Sequence, residues 1–250
     1  DWRVYQLGNN HLQSAVSTAV DPKKFKLSAY SLEAGTWYLV RVQVLNTVSG
    51  AEAFSSVVVN IDRGNLVAVV AGGAQQSVRL GEQLELDGSK SFDEDVPGVF
   101  GGEIFYVSYT WSCLQLLPVY STVCPLGLGT SPLDQSIGVL DAANVTATVD
   151  SLLRITLTMT DDSRSGSRNI ELIVVDAAAP KVSIDSGFAL EPINTEERLF
   201  ITGVISSATS CAAVWNISDS SVDLVTASLT PIVAQTPNSG IDYQVHLVMA

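Results

Sequence analysis

Charge is scarce in this chain. Asp, Glu, Lys and Arg make up 16% of its 250 residues, against about 25% in an average soluble domain. Cations are scarcer still: 13 Lys and Arg face 26 Asp and Glu, a net charge of −13. Such an acidic surface repels nucleic acid and anionic lipid and favours solubility. There are only two histidines, His11 and His246, falling in different parts of the chain, so no base stands ready beside a nucleophile. The three cysteines, Cys113, Cys124 and Cys211, show no Cys-x-x-Cys spacing and do not group with histidine as a zinc site requires. The mean hydropathy is +0.28. Yet Asp, Arg, Ser or Gly interrupts every apolar stretch before the roughly 18 residues that a bilayer-spanning helix needs. His-Glu-x-x-His, Gly-x-Ser-x-Gly and the phosphate-cradling Gly-x-x-x-x-Gly-Lys are all missing. Gly72-Gly73 follows a strand pattern, but no helix pattern follows it, so a dinucleotide fingerprint fails on context. The expected catalytic and metal-binding residues are therefore none.

What fills the space is Ser, Thr, Val and Ala, a mixture suited to half-buried strands and small polar turns. Tyr38, Val40, Val42 and Val44 alternate with Leu39, Arg41 and Gln43 at a period of two. Leu84 and Leu86 repeat the pattern, as do Tyr109 and Trp111, and Ile155, Leu157 and Met159. Ile170 to Val175 reads as an apolar strand suited to a buried position. Residues 139–152 are the one stretch that admits a short helix. Asp62-Arg63-Gly64-Asn65 and Ala177-Ala178-Ala179-Pro180 break the chain between strands. They predict three regions: 1–63, 64–178 and 179–250. In the third, Leu199, Ile201 and Val204 read as one strand, Ala213 to Ile217 as a tryptophan strand, and Tyr243 to Met249 as another. Both ends of the chain are expected to fall inside a module, as in a fragment of a longer array.

The odd cysteine count fits one internal disulfide and one cysteine whose partner lies elsewhere. Two sequons, Asn144-Val145-Thr146 and Asn216-Ile217-Ser218, add to the case for a secretory route and predict glycans on Asn144 and Asn216. Solvent-facing asparagines require Val145 and Ile217 to turn inward.

The run Ser31-Leu32-Glu33-Ala34-Gly35-Thr36-Trp37-Tyr38, continuing through Val40, Val42 and Val44 to Asn46 and Gly50, closely resembles the fibronectin type III signature, with Ala34 in the proline position. The resemblance implies a tyrosine corner: Leu32 plugs the core end, Gly35 permits the tight turn, and the Tyr38 hydroxyl bonds upstream backbone. The chain is then expected to begin inside this module, with Trp2 on a core strand.

Next come Leu84-Glu85-Leu86-Asp87-Gly88-Ser89-Lys90-Ser91-Phe92-Asp93-Glu94-Asp95, then Tyr109-Thr110-Trp111-Ser112-Cys113 and Cys124. This resembles PKD-like β-sandwiches. The added Trp-Ser-Cys…Cys looks like the receptor for egg jelly (REJ) region of the polycystin family. The Trp-Asp-Phe-Gly-Asp-Gly run usual in PKD domains is absent after Trp111, and Pro125 to Gln135 aligns with nothing. The resemblance implies an all-β fold of tandem immunoglobulin-like sandwiches, fibronectin type III-like and PKD/REJ-like. It also implies a Cys113–Cys124 disulfide. Cys211 is then the cysteine whose partner lies beyond residue 250 or in another chain.

The acidic residues Asp87, Asp93, Glu94 and Asp95, with Asp161-Asp162, raise calcium as a cofactor. Against it stand the missing Asp-x-Asp-x-Asp-Gly spacing and a simpler use for Asp87 and Ser89 in turn bonds. A hairpin turn likewise accounts for Asp161-Asp162, so the expected cofactor is none. Trp111 is read as core rather than as a sugar platform. The implied function is a non-catalytic segment of a large ectodomain, secreted or on the outer face of a plasma or flagellar membrane. It would space, adhere or recognise, with other protein chains, neighbouring modules, glycans or matrix as partners. Two alternatives are a subunit of an extracellular filament such as a flagellar hair, with Lys-poor strand edges open to lateral partners, and an accessory carbohydrate-binding region.

Overall fold

The alternating apolar residues become strands almost wherever they occur. The computed structural model describes residues 1–130, 135–142, 146–185, 198–207, 209–217, 219, 221–235 and 243–249. Two units emerge: Asp1–Asn65 with Glu94–Pro97, and Leu66–Asp93 with Gly98–Ala250.

The first unit is one antiparallel sheet in the order β2-β1-β3-β4, built from β1 (Trp2–Gln6), β2 (His11–Leu12), β3 (Thr36–Leu45) and β4 (Glu52–Ile61). Tyr38 is 1% exposed, and its hydroxyl accepts the Glu33 backbone N–H at 2.9 Å. Gly35, at φ +74°, makes the turn between them, a conformation that a side chain disfavours. This is the tyrosine corner that the signature implies. On β1 the fully buried residue is Val4. Trp2 is only half-buried, stacks on Phe25 with centroids 5.3 Å apart, and donates from Nε1 to the Pro22 carbonyl at 3.1 Å.

The second unit contains a two-sheet sandwich. One sheet is β6-β13-β12-β9 and the other β10-β11-β7. Their strands are β5 (Leu66–Val67), β6 (Gln75–Arg79), β7 (Gln83–Asp87), β8 (Phe92–Asp93), β9 (Ser108–Leu117), β10 (Gly127–Thr130), β11 (Ile137–Asp141), β12 (Leu152–Thr160) and β13 (Ser165–Val175), with β5 pairing β8 on its own. All pairings are antiparallel except β13 with β6. Leu86 and Leu140 from one sheet meet Leu153, Ile155, Leu157, Met159, Ile170, Leu172 and Val174 from the other, each at most 1% exposed. Each such side chain contributes about 1.5–3 kcal/mol through burial. Trp111, at 8% exposed, belongs to this core.

Beyond the sandwich lie β14 (Lys181–Asp185), β15 (Leu199–Ser206), β16 (Ala212–Val214), α1 (Leu224–Ala227), β17 (Val233–Gln235) and β18 (Tyr243–Met249). They form a β14-β15-β18 sheet and a β16-β17 pair. Trp215 reaches across to Gly203 of β15, where a Cβ would stand 3.2 Å from its ring.

Three expectations need correction. Ile170–Val175 is not buried on both faces: Ile170, Leu172 and Val174 point inward while Ile173 is 39% exposed, because this strand, paired antiparallel with β12 and parallel with β6, faces the core on one side only. Among described residues, 139–152 holds β11 and a turn, not a helix. Among the described residues the α-helix is instead Leu224–Ala227, started by the Asp223 carboxylate accepting Val225 N–H at 3.0 Å, an N-cap. The tryptophan strand is shorter than expected, with Trp215, Asn216 and Ile217 beyond its end.

Candidate functional site

The motif from Leu86 to Asp93 is used for folding, residue by residue. Leu86 fills the core. The Asp87 carboxylate accepts the Ser89 N–H at 2.8 Å, the Asx-type turn that fixes the bend after the strand. Gly88 has no room for a Cβ, which would collide with the Ser136 carbonyl and stand 2.8 Å from Leu157. Ser91 is fully buried and bonds the Val69 backbone twice, accepting from N–H at 3.0 Å and donating to C=O at 3.2 Å.

Asp93 anchors a polar cluster. Arg164 donates to both of its oxygens, Nη1 to Oδ1 at 3.1 Å and Nη2 to Oδ2 at 2.8 Å, and the Tyr106 hydroxyl donates to Oδ2 at 2.9 Å. Arg164 also binds Asp161 through Nε at 2.8 Å and Nη2 at 2.7 Å. Asp161 closes the β12–β13 turn by accepting the amides of Ser163 at 2.7 Å and Arg164 at 2.6 Å. The side chains are withdrawn from water: Asp93 2% exposed, Asp161 7%, Arg164 15%. Burial by itself raises the Asp161 carboxyl. The Ser163 amide, the Arg164 side chain and the Arg164 amide outweigh it and hold the carboxyl well below the usual carboxylate range. Hydrogen bonding to Asp93 raises Arg164 further, against the opposing effect of burial.

This arrangement locks β8 to a hairpin and leaves the two carboxylates facing a guanidinium. The donor set does not fit calcium, because Arg164 stands where a cation would have to bind Asp93 and Asp161. In the first unit, Glu94 accepts the Asn65 backbone N–H at 2.7 Å and Asp95 the Gly64 N–H at 2.9 Å. No group of three His, Cys, Asp or Glu side chains forms a metal site among the described residues.

Cys113 on β9 and Cys124 are joined by a disulfide, Cα atoms 5.2 Å apart. The loop they close is laced by Gln115 and Ser121, which exchange backbone bonds at 2.9 and 3.0 Å. Apolar side chains stand out from it: Val119 71%, Tyr120 64% and Val123 74% exposed. Cys211 is half-buried just before β16. Asn216 is exposed and accepts the Ile217 N–H at 2.8 Å. Ile217, expected to face inward, is 38% exposed, since β16 ends before it and alternation no longer applies. Asn144 and Val145 lie outside the described residues. His11 is exposed on β2, and His246 Nδ1 lies 3.3 Å from the Thr202 hydroxyl. No helix among the described residues is long and apolar enough to cross a membrane.

Sequence reasoning missed two arginines. Arg164 had one available signal, a cation three residues after Asp161 in a cation-poor chain. Arg79, at the end of β6, donates from Nε to the Ala179 carbonyl at 2.6 Å, from Nη2 to the Ser206 carbonyl at 2.8 Å, and from Nη1 to Glu82 at 3.0 Å.

No curated protein matches the chain. Several solved structures are similar. The FN1-FN3 domains of chicken CNTN1 align at 10% identity over 100% of this chain and 78% of that one, TM-score 0.32. An I-band fragment of titin aligns at 9% identity over 100% and 78%, TM-score 0.27. A nucleoside hydrolase-related protein from Saccharophagus degradans aligns at 16% identity, TM-score 0.33, and this chain spans 26% of it while 46% of this chain is covered. A family model described as the REJ domain matches residues 1–242, almost the full sequence in which the tyrosine corner, the Leu86–Asp93 motif and the disulfide loop follow one another, and the chain belongs to the REJ domain family.

Proposed function

We propose that this chain is a non-catalytic spacer and recognition segment in the extracellular part of a large cell-surface or flagellar-surface glycoprotein. Membership of the REJ family supports the extracellular side, as does the Cys113–Cys124 bond, since disulfides persist in oxidising compartments. In this reading three modules follow one another, meeting near residues 63 and 178, with glycans on Asn144 and Asn216.

The observation that carries the spacer role is Arg79. Its guanidinium ties the end of β6 to the link at Ala179 and to the end of β15 at Ser206. The link is itself a turn, with the Asp176 carboxylate accepting the Ala178 N–H at 2.8 Å. Backbone carbonyls held by a charged donor stiffen a junction that short polar linkers leave loose. Recognition falls to the disulfide-closed loop, where Val119, Tyr120 and Val123 are presented on a stapled scaffold. The test is antibody labelling of intact cells. Label before permeabilisation, removed by external protease, is expected; label only after permeabilisation overturns the extracellular assignment.

A further inference from the structure

The outer edge of β4 is built to pair with a second copy of itself. The direction of the backbone groups follows from the hydrogen bonds of β3. Leu7 N–H donates to Trp37 O at 2.9 Å and Gln43 N–H to Asp1 O at 2.8 Å. Odd-numbered β3 residues therefore turn their backbone to β1, and even-numbered ones to β4. Continuing that series, Asn46 N–H donates to Ala51 O at 2.8 Å. In the β3–β4 register, Tyr38 pairs Val59, Val40 pairs Val57 and Val42 pairs Ser55. The odd-numbered residues of β4 are thus satisfied inside the sheet. The N–H and C=O groups of Phe54, Ser56, Val58 and Asn60 point out along the edge.

This edge has one protective charge, Glu52 at its start. It runs ten residues, Glu52–Ile61, roughly 33 Å at strand rise, with no Lys, Pro or bulge. Its side chains are bare on both faces, Phe54 69%, Val57 58% and Val58 49% exposed. The Phe54 ring is already held, with Arg41 stacked over it at 4.9 Å and over Tyr5 at 5.3 Å. The one charge on the strand, Glu52, accepts a hydrogen bond from Gln43 at 2.8 Å.

We propose that two copies of the chain join β4 to β4 in antiparallel fashion about a twofold axis at Ser56, making one continuous sheet. Hydrogen bonding requires even-numbered residues to face even-numbered residues. With the axis at Ser56, Phe54 faces Val58 of the second copy, an aromatic against a β-branched side chain, and Glu52 faces Asn60. On the other face Ala53 meets Val59 and Ser55 meets Val57, small against branched. Ser56 meets itself, where a small side chain is needed. No like charges oppose. In-register parallel pairing would instead stack Glu52 on Glu52, so of the two self-pairings the strand's composition favours the antiparallel one.

The test is sedimentation velocity of the full chain over a concentration series, with Ser56→Lys, Ser56→Glu and their equimolar mixture. Ser56 is exposed, so either substitution leaves the sheet intact. The wild type is expected to sediment as a concentration-dependent dimer, each variant alone as monomer, and the mixture as dimer again. Hydrogen exchange supplies a readout that needs no variant: the Phe54 and Val58 amides should slow as wild-type concentration rises. A wild type that stays monomeric to its solubility limit overturns the proposal. So does a dimer unchanged by both substitutions, which would place the contact elsewhere, or protection of these amides only when a different protein is added.

Discussion

The indole of Trp111 packs against the bare backbone of Gly138 on the facing sheet, so close that a Cβ there would stand 2.9 Å from two ring atoms. Tryptophan on the edge strand β9 of one sheet and glycine on β11 of the other set the spacing of the sandwich along that side. Gly138→Ala is expected to cost about 1–3 kcal/mol by overpacking. Gly129→Ala, where a Cβ meets open space, should change little. Denaturant unfolding of the two variants distinguishes these outcomes; equal stabilities would remove the packing role from Gly138.

Arg164 offers a sharper perturbation. Removing it leaves the buried Asp93 carboxylate without its bidentate partner, and losing one member of a buried pair costs about 3–5 kcal/mol. Arg164→Ala should therefore lower the unfolding midpoint strongly. Arg164→Lys should rescue little, because an ammonium lacks the planar fork that meets both Asp93 oxygens and Asp161. Tyr106→Phe, which loses one hydrogen bond, should cost about 1 kcal/mol.

The same cluster dictates a pH dependence. Asp161 has its pKa depressed on folding. A depressed carboxyl adds stability at pH above its unfolded value of about 3.9, and the gain is lost as pH falls toward the folded value. The stability difference between wild type and Asp161→Asn should be flat through neutral pH and shrink below about pH 4. Unfolding free energies measured across acid pH check this; a difference that grows on acidification contradicts it.

Arg79→Ala should loosen the link without unfolding the sandwich. The expected result is faster amide exchange at Ala178 and Ala179, with core amides such as Ile155 and Leu157 unchanged. Uniformly faster exchange would mean that Arg79 serves global stability instead.

Much of this was legible in the sequence because it is local. Alternation at two residues places Ile155, Leu157 and Met159 inward without any tertiary knowledge, and Gly35 with Tyr38 announces the corner within four positions. The same holds for Asp87 and Ser89. What was not legible depends on partners distant in sequence. Asp93 looked like one of several acidic loop residues until Arg164, across 71 positions, gave it a role. The exposure of Ile173 followed from one-sided packing rather than from its own hydrophobicity. The helix at Leu224–Ala227 is a single capped turn, too short for apolar periodicity to register, whereas residues 139–141 owe their strand to pairing with β7 and β10.

The account rests most heavily on this segment being held outside the cell as a disulfide-stapled REJ domain. Peptide mapping of native protein under non-reducing conditions tests it most directly. Cys113 and Cys124 should be recovered as one linked peptide pair that separates on reduction. Recovery of both as free thiols from native material would contradict the extracellular assignment and the stapled recognition loop together.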